Sequence, residues 1–155
     1  MKNELQVKAI ENGTVIDHID ADKLFKIVSI LELENIDTEI FIGFNLESKK
    51  LEKKGIKKGI IKIANKFPSE EDLNKIALIN SNAVINIIEN YKVVKKYKVE
   101  IPQEIMSFVK CINPKCITNF EKVTTKFTVS KKKEKLELKC HYCEKITNQK
   151  NIEII

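Results

Sequence analysis

Three features of the sequence predict an α+β chain in two parts, a two-helix antiparallel sandwich followed by a small metal-pinned β unit. Several short stretches alternate apolar and polar residues with the period of a strand. Two intervening stretches carry helical spacing instead. All four cysteines, Cys111, Cys116, Cys140 and Cys143, fall in the last third of the 155 residues as two close pairs.

LQVKAI and TVIDHI read as one extended stretch, or as a hairpin across Glu11-Asn12-Gly13, because Asn-Gly is a turn dipeptide. Asp20 is expected to cap a helix that carries Leu24, Ile27, Val28 and Leu31 on one face. EIFIGFNL is a strand, and so is GIIKIAN after a lysine- and glycine-rich loop at 47–59. Ser69 with Asp72 three residues later has the form of a capping box, and Leu73, Ile76 and Ala77 give the second helix its apolar face. AVINIIEN and YKVVKKYKV follow as strands. The order β-α-β-β-α-β with one more strand points to a ferredoxin-like sandwich, both helices on one sheet face, over residues 1–101. Ile101-Pro102 closes this part, and 102–108 is expected to form a short connecting helix.

Residues 102–155 hold the cysteines. Cys111 and Cys116 bracket INPK, and after a gap of 23 residues Cys140 and Cys143 bracket His141 and Tyr142. VTTKFTV, a turn at KKKEK and LELK supply antiparallel strands between the pairs, as in a rubredoxin or zinc ribbon. Two close pairs on separated loops fit one tetrahedral zinc held by four thiolates, which leaves no open coordination position and makes the ion structural. A redox CxxC is expected to open a helix, whereas this one follows the strand-like KLELKC. Disulfides are unfavoured in a chain with no secretory leader and a core large enough to fold, and the reading is of a cytoplasmic protein. His141 is expected to be an exposed knuckle residue. A unit of about fifty residues has a thin core, so its fold should depend on the metal.

Charge bounds the partners. Residues 101–155 carry eleven lysines against six acidic residues, residues 1–100 seventeen against sixteen, and the chain has no arginine. The basic second half suggests a nucleic-acid-binding zinc ribbon as the alternative reading. The missing arginines argue against it, since reading guanine edges is commonly an arginine task. No run of about 18 apolar residues exists to cross a bilayer. No glycine-rich phosphate loop and no Ser/His/Asp set stands out, so no catalytic residue is assigned. His18 beside Asp17 is the one histidine with a carboxylate neighbour in sequence.

LQVKAIENGTVIDHI at the start, NYKVV at 90–94 and KCHYCEK after a CxxxxC together resemble the regulatory chain of aspartate carbamoyltransferase over essentially the whole length. The resemblance implies a non-catalytic subunit of pyrimidine biosynthesis. Its first domain would bind CTP as inhibitor and ATP as activator, and it leaves open whether Mg2+ accompanies the phosphates. Its zinc domain would dock on the catalytic chain, with regulatory homodimers bridging catalytic trimers and no role for nucleic acid or membrane. Position by position, it implies a nucleotide pocket lined by Ala9, Ile10, Val15, Asp17 and His18, with His18 near the phosphates. Lys62 and Lys96 would supply charge, and Ile60, Asn86, Ile88, Tyr91 and Val93 would complete the wall. Asn113, Glu144 and Lys145 would contact the catalytic chain. The sequence departs from the familiar pattern at Pro114-Lys115, where small polar residues are usual, and at Lys95, where a glycine is.

Overall fold

The computed structural model describes residues 9–47, 57–133 and 135–155, which divide between Glu100 and Ile101 into two units. The first contains β1 (Gly13–Asp20), α1 (Leu24–Ile30), β2 (Ile40–Glu47), β3 (Lys57–Ala64), α2 (Glu70–Ile79), β4 (Val84–Glu89) and β5 (Lys92–Lys98). Its sheet runs β2-β3-β1-β4-β5 with every neighbouring pair antiparallel. That is the ferredoxin-like order with one strand added at the β4 edge. Each helix links two strands that are not neighbours, so both crossovers fall on one side of the sheet.

Alternation sets which residues meet the helices. Ile16, Ile19, Ile61, Ile63 and Ile85 from the sheet pack with Leu24 and Ile27 of α1 and with Ile76, Ala77 and Ile79 of α2 in one buried cluster. Fully burying each large aliphatic side chain is worth about 1.5–3 kcal/mol, so this layer is the main source of the unit's cohesion. The expected capping box forms on α2: Asp72 N–H donates to Ser69 Oγ at 3.1 Å, and Ser69 N–H donates to Asp72 Oδ2 at 3.1 Å.

Three expectations need correction. Asp20 stands at the head of a 3-10 turn over Ala21–Lys23 and makes no capping bond to it. Its carboxylate is taken instead by Lys58 at 2.8 Å and Lys23 at 3.6 Å. The 102–108 segment is not a helix; Glu104–Met106 is a strand, β6, because Ile105 alternates inward between two exposed neighbours. The basic turn also shrinks, since Lys131 and Lys132 are ladder residues opposite Leu136 and Lys135. Of the first expected stretch, 5–8 lies outside the described residues, as does most of the 47–59 loop; Ala9 and Ile10 precede β1 without joining it.

The second unit adds β7 (Lys126–Lys132), β8 (Lys135–Cys140) and β9 (Ile146–Asn148) in the order β6-β7-β8-β9. Register sets Ile105, Phe127 and Cys140 in one cross-strand row, each no more than 2% exposed. The chain end returns to pair Ile154 with Val109, two residues before the first cysteine. Among the described residues no helix is long and apolar enough to cross a membrane.

Gly13 opens β1 at φ +144, and a Cβ there would lie 2.1 Å from the Ile63 carbonyl oxygen. Gly13→Ala should therefore lower the unfolding free energy by about 3 kcal/mol, combining strain with overpacking, as read by denaturant titration. Burial raises the Asp20 pKa, but hydrogen bonding and charge from Lys58, then Lys23, outweigh it and hold the carboxyl below its ordinary 3.8. A depressed carboxyl contributes stability that is present above its unfolded value and is lost as pH falls through the folded one. Asp20→Asn should thus cost up to about 1 kcal/mol at pH 7 and flatten the acid limb of the stability curve below about pH 4.

Candidate metal centre and open sheet face

Two knuckles bring the cysteines together. In the first, Cys116 N–H donates to the Asn113 carbonyl at 3.0 Å, while the Asn119 side-chain amide reaches the carbonyls of Cys111 at 3.1 Å and Asn113 at 2.7 Å. Lys115 N–H donates to Asn113 Oδ1 at 3.0 Å, so Asn113 is spent largely on shaping this loop. In the second, Cys140 ends β8, its N–H donates to the Lys145 carbonyl at 3.0 Å, and Glu144 N–H returns to the Cys140 carbonyl at 3.0 Å. Glu144 adopts the left-handed conformation, φ 63, that such a reversal needs.

The four sulfurs lie within 4.8 Å of one another, with Cys111–Cys143 at 3.6 Å and Cys116–Cys140 at 3.8 Å. A disulfide needs about 2.05 Å. A tetrahedron with metal–sulfur bonds of about 2.3 Å has edges of about 3.8 Å, so the cluster fits a zinc ion. Cys111, Cys116 and Cys140 are buried. Burial pushes the Cys111 thiol up to about 12 and raises Cys140 as well. At Cys143 burial acts the same way, but the Lys145 N–H, the Asn113 side chain and the neighbouring thiols outweigh it and bring the group to about 7. Burial thus favours the protonated thiol at Cys111 and Cys140, and a binding cation must displace those protons. Thr118 Oγ1 donates to Cys116 Sγ at 3.2 Å and can stabilise the thiolate. His141 stays outside the cluster, exposed, its ring edge-on to Tyr142 at 5.1 Å.

Around the knuckles Ile112, Ile117, Phe120, Tyr142 and Ile146 are 45–71% exposed, and Glu144 and Lys145 stand among them in sequence. This apolar rim was missed in the sequence, where isolated hydrophobic residues beside cysteines look like ordinary core. Asn119 and Thr118 were missed too, since a polar residue near a CxxxxC carries no distinctive signal.

In the first unit the sheet face turned away from the helices collects the other predicted residues. Val15 is the register partner of both Lys62 and Asn86, and Asn86 is the partner of Lys96. Lys62, Val15, Asn86 and Lys96 thus form one row across β3, β1, β4 and β5, spanning about 14 Å at ordinary strand spacing. The same parity puts Asp17, Ile60 and Ile88 on this face, with Val93 opposite Ile88. Asn86 Nδ2 donates to the Val15 carbonyl at 3.3 Å. Tyr91 stands at the tip of the β4–β5 hairpin, where it and Asn90 are both left-handed, and its N–H donates to the Glu11 carbonyl at 2.9 Å. That bond ties the tip to the segment carrying Ala9 and Ile10.

His18 reaches this face through a bulge. The β1–β3 register jumps between Ile16 and Ile19, and His18 sits at φ 57. Strict alternation would turn His18 toward the helices; instead its Nδ1 lies 3.5 Å from Asp17 Oδ2 and its side chain is 40% exposed, while Ile19 is fully buried. Two further lysines share the face by parity, Lys58 and Lys98, and alternation from Lys62 and Lys96 could have found both. Lys95 is on the opposite side, over the Tyr97 ring at 5.2 Å. Lysines spread among Val15, Ile60, Ile88 and Val93 suit an organic anion that has an apolar portion.

The family model of the aspartate carbamoyltransferase regulatory chain, allosteric domain, matches residues 5–100, and that of its metal binding domain matches residues 103–153. An aspartate carbamoyltransferase regulatory chain of Bacteroides fragilis is 52% identical over 154 residues, 99% of this chain and 97% of that protein. Proteins of the same name from Pyrococcus horikoshii, 49% identical over 151 residues, and Methanococcus maripaludis, 48% over 148, each align over 96% of both chains. With an antiparallel sandwich and a four-cysteine cluster where those two domains fall, the chain belongs to the aspartate carbamoyltransferase regulatory chain family.

Proposed function

We infer that this chain is a non-catalytic, cytoplasmic subunit of pyrimidine biosynthesis that binds CTP as inhibitor and ATP as activator and passes the effect to catalytic trimers. The observation that carries the reading is the Lys62–Val15–Asn86–Lys96 row, which sets two cations at the ends of a partly apolar strip on one open face. The triphosphate and ribose take charge from Lys62 and Lys96, and the phosphates lie near His18, with or without Mg2+. Val15, Ile60, Ile88, Tyr91 and Val93 wall the nucleoside, Asn86 and Asp17 offer polar groups beside it, and Ala9 and Ile10 bound it through backbone groups. Residues 1–101 act as this nucleotide-binding domain.

Residues 102–155 act as the docking domain. Cys111, Cys116, Cys140 and Cys143 hold one zinc ion, whose chemistry here is only to cross-link the two knuckles. The pinned loops then present the apolar rim to the catalytic chain, with Glu144 and Lys145 at its polar margin and Asn113 holding the first loop in shape. Regulatory homodimers so docked bridge two trimers. A nucleotide shifts the catalytic equilibrium only by its differential affinity for the two states of the assembly, commonly about 1–3 kcal/mol, and substrate analogues must change nucleotide affinity by the same factor.

Lys62→Ala and Lys96→Ala should each weaken CTP binding about tenfold or more by calorimetry while the assembly with catalytic trimers stays intact. Unchanged affinity in both would remove them from the site. Chelation of the metal, or Cys116→Ala, should unfold the second unit and release free catalytic trimers on size exclusion, with zinc absent by elemental analysis. Stable holoenzyme lacking metal would show that docking does not need the cross-link.

A further inference from the structure

We propose that Asn80, which follows α2, is a positioning residue for the effector face, holding the β1 bulge so that the His18 imidazole is presented there. Asn80 is fully buried, and its Nδ2 donates to the His18 carbonyl at 3.2 Å across 62 residues of sequence. Its own backbone is fixed on both sides: its N–H donates to the Ile76 carbonyl at 2.8 Å, closing α2, and its carbonyl accepts from Ala83 N–H at 3.1 Å, leading into β4. The donor is therefore delivered from a rigid corner.

The bulge needs such a donor. His18 lies outside both ladders of β1, since the β3 register jumps from Ile16 to Ile19 and the β4 register ends at Asp17. A left-handed conformation is unfavourable for a non-glycine residue unless its surroundings hold it. The Asp17 carboxylate does so from one side, accepting from His18 N–H at 2.7 Å. Asn80 does so from the other, at the carbonyl. Remove the Asn80 amide and the half-buried carbonyl loses its donor, which favours relaxation to ordinary alternation; His18 would then turn from the open face. Asn80 is fully buried and offers no atom to a ligand, so its effect on one passes through His18.

The inference rests on the proposed effector site, and the test separates the two. On the full chain, Asn80→Ala should erase the left-handed 13C shift signature of His18 and weaken CTP binding about three- to tenfold. Binding of cytidine, which lacks the phosphates, should change by less than about twofold, as should CTP binding when Asn80→Ala is made in a His18→Ala background. Asn80→Asp keeps the shape but turns an acceptor toward the carbonyl, and should reproduce the loss. An unaltered His18 signature in these variants overturns the proposal, and so does an Asn80 effect of equal size with and without the imidazole. Should neither variant fold, the Asn80 side-chain amide resonance of the wild type decides: a shift with CTP and not with cytidine supports the role, and a silent resonance refutes it. A wild-type chain that fails to bind CTP sinks the site reading alone, because the His18 signature still reports whether Asn80 holds the bulge.

Discussion

Everything in the first unit is referred to β1, the strand held in the middle of the sheet by antiparallel ladders on both sides. Those ladders decide which residues of β3 and β4 stand beside it, and so which side chains from segments some seventy residues apart share a face. The helix side of β1 spends Ile16 and Ile19 on the core; the other side offers Val15, Asp17 and His18. The buried core and the open polar face are thus two sides of one register, and a side chain gained by one is lost to the other.

The second unit solves a different problem. Its core is a short stack around Ile105, Phe127, Leu136 and Leu138, too little to hold long loops in shape by burial alone. Two cysteine knuckles, each braced by main-chain bonds and by Asn113 or Glu144 geometry, let one cation replace what a larger core would provide. The apolar residues around them stay exposed, a cluster of the kind that marks interaction surfaces.

Much of this was legible because period-2 and period-3.6 patterns are strong wherever isoleucine dominates. The helix and strand order of the first unit from β1 onward, the Ser69–Asp72 box and the cysteine cluster were read correctly. Misreadings fell where two local signals competed. Asp20 has the chemistry of a cap, but Lys58, brought alongside by register, is the better partner for a carboxylate. Pro102 looks like a helix start, yet Ile105 gains more by pairing beside Phe127. Of the open-face lysines, Lys62 and Lys96 were named only through the family resemblance, because alternation says which side a residue takes and not which residues of other strands join it. Residues such as Asn80 and Asn119 carry no signal at all, since a side-chain amide reveals its partner only after folding.

The bulge at His18 has an evolutionary corollary. A strand keeps its sides by parity, so inserting or deleting one codon between Gly13 and Asp17 would exchange the core and open-face residues of the central strand at a stroke, whereas the bulge already takes up one such offset. Descendants of this gene can vary the identity of these residues far more freely than their number.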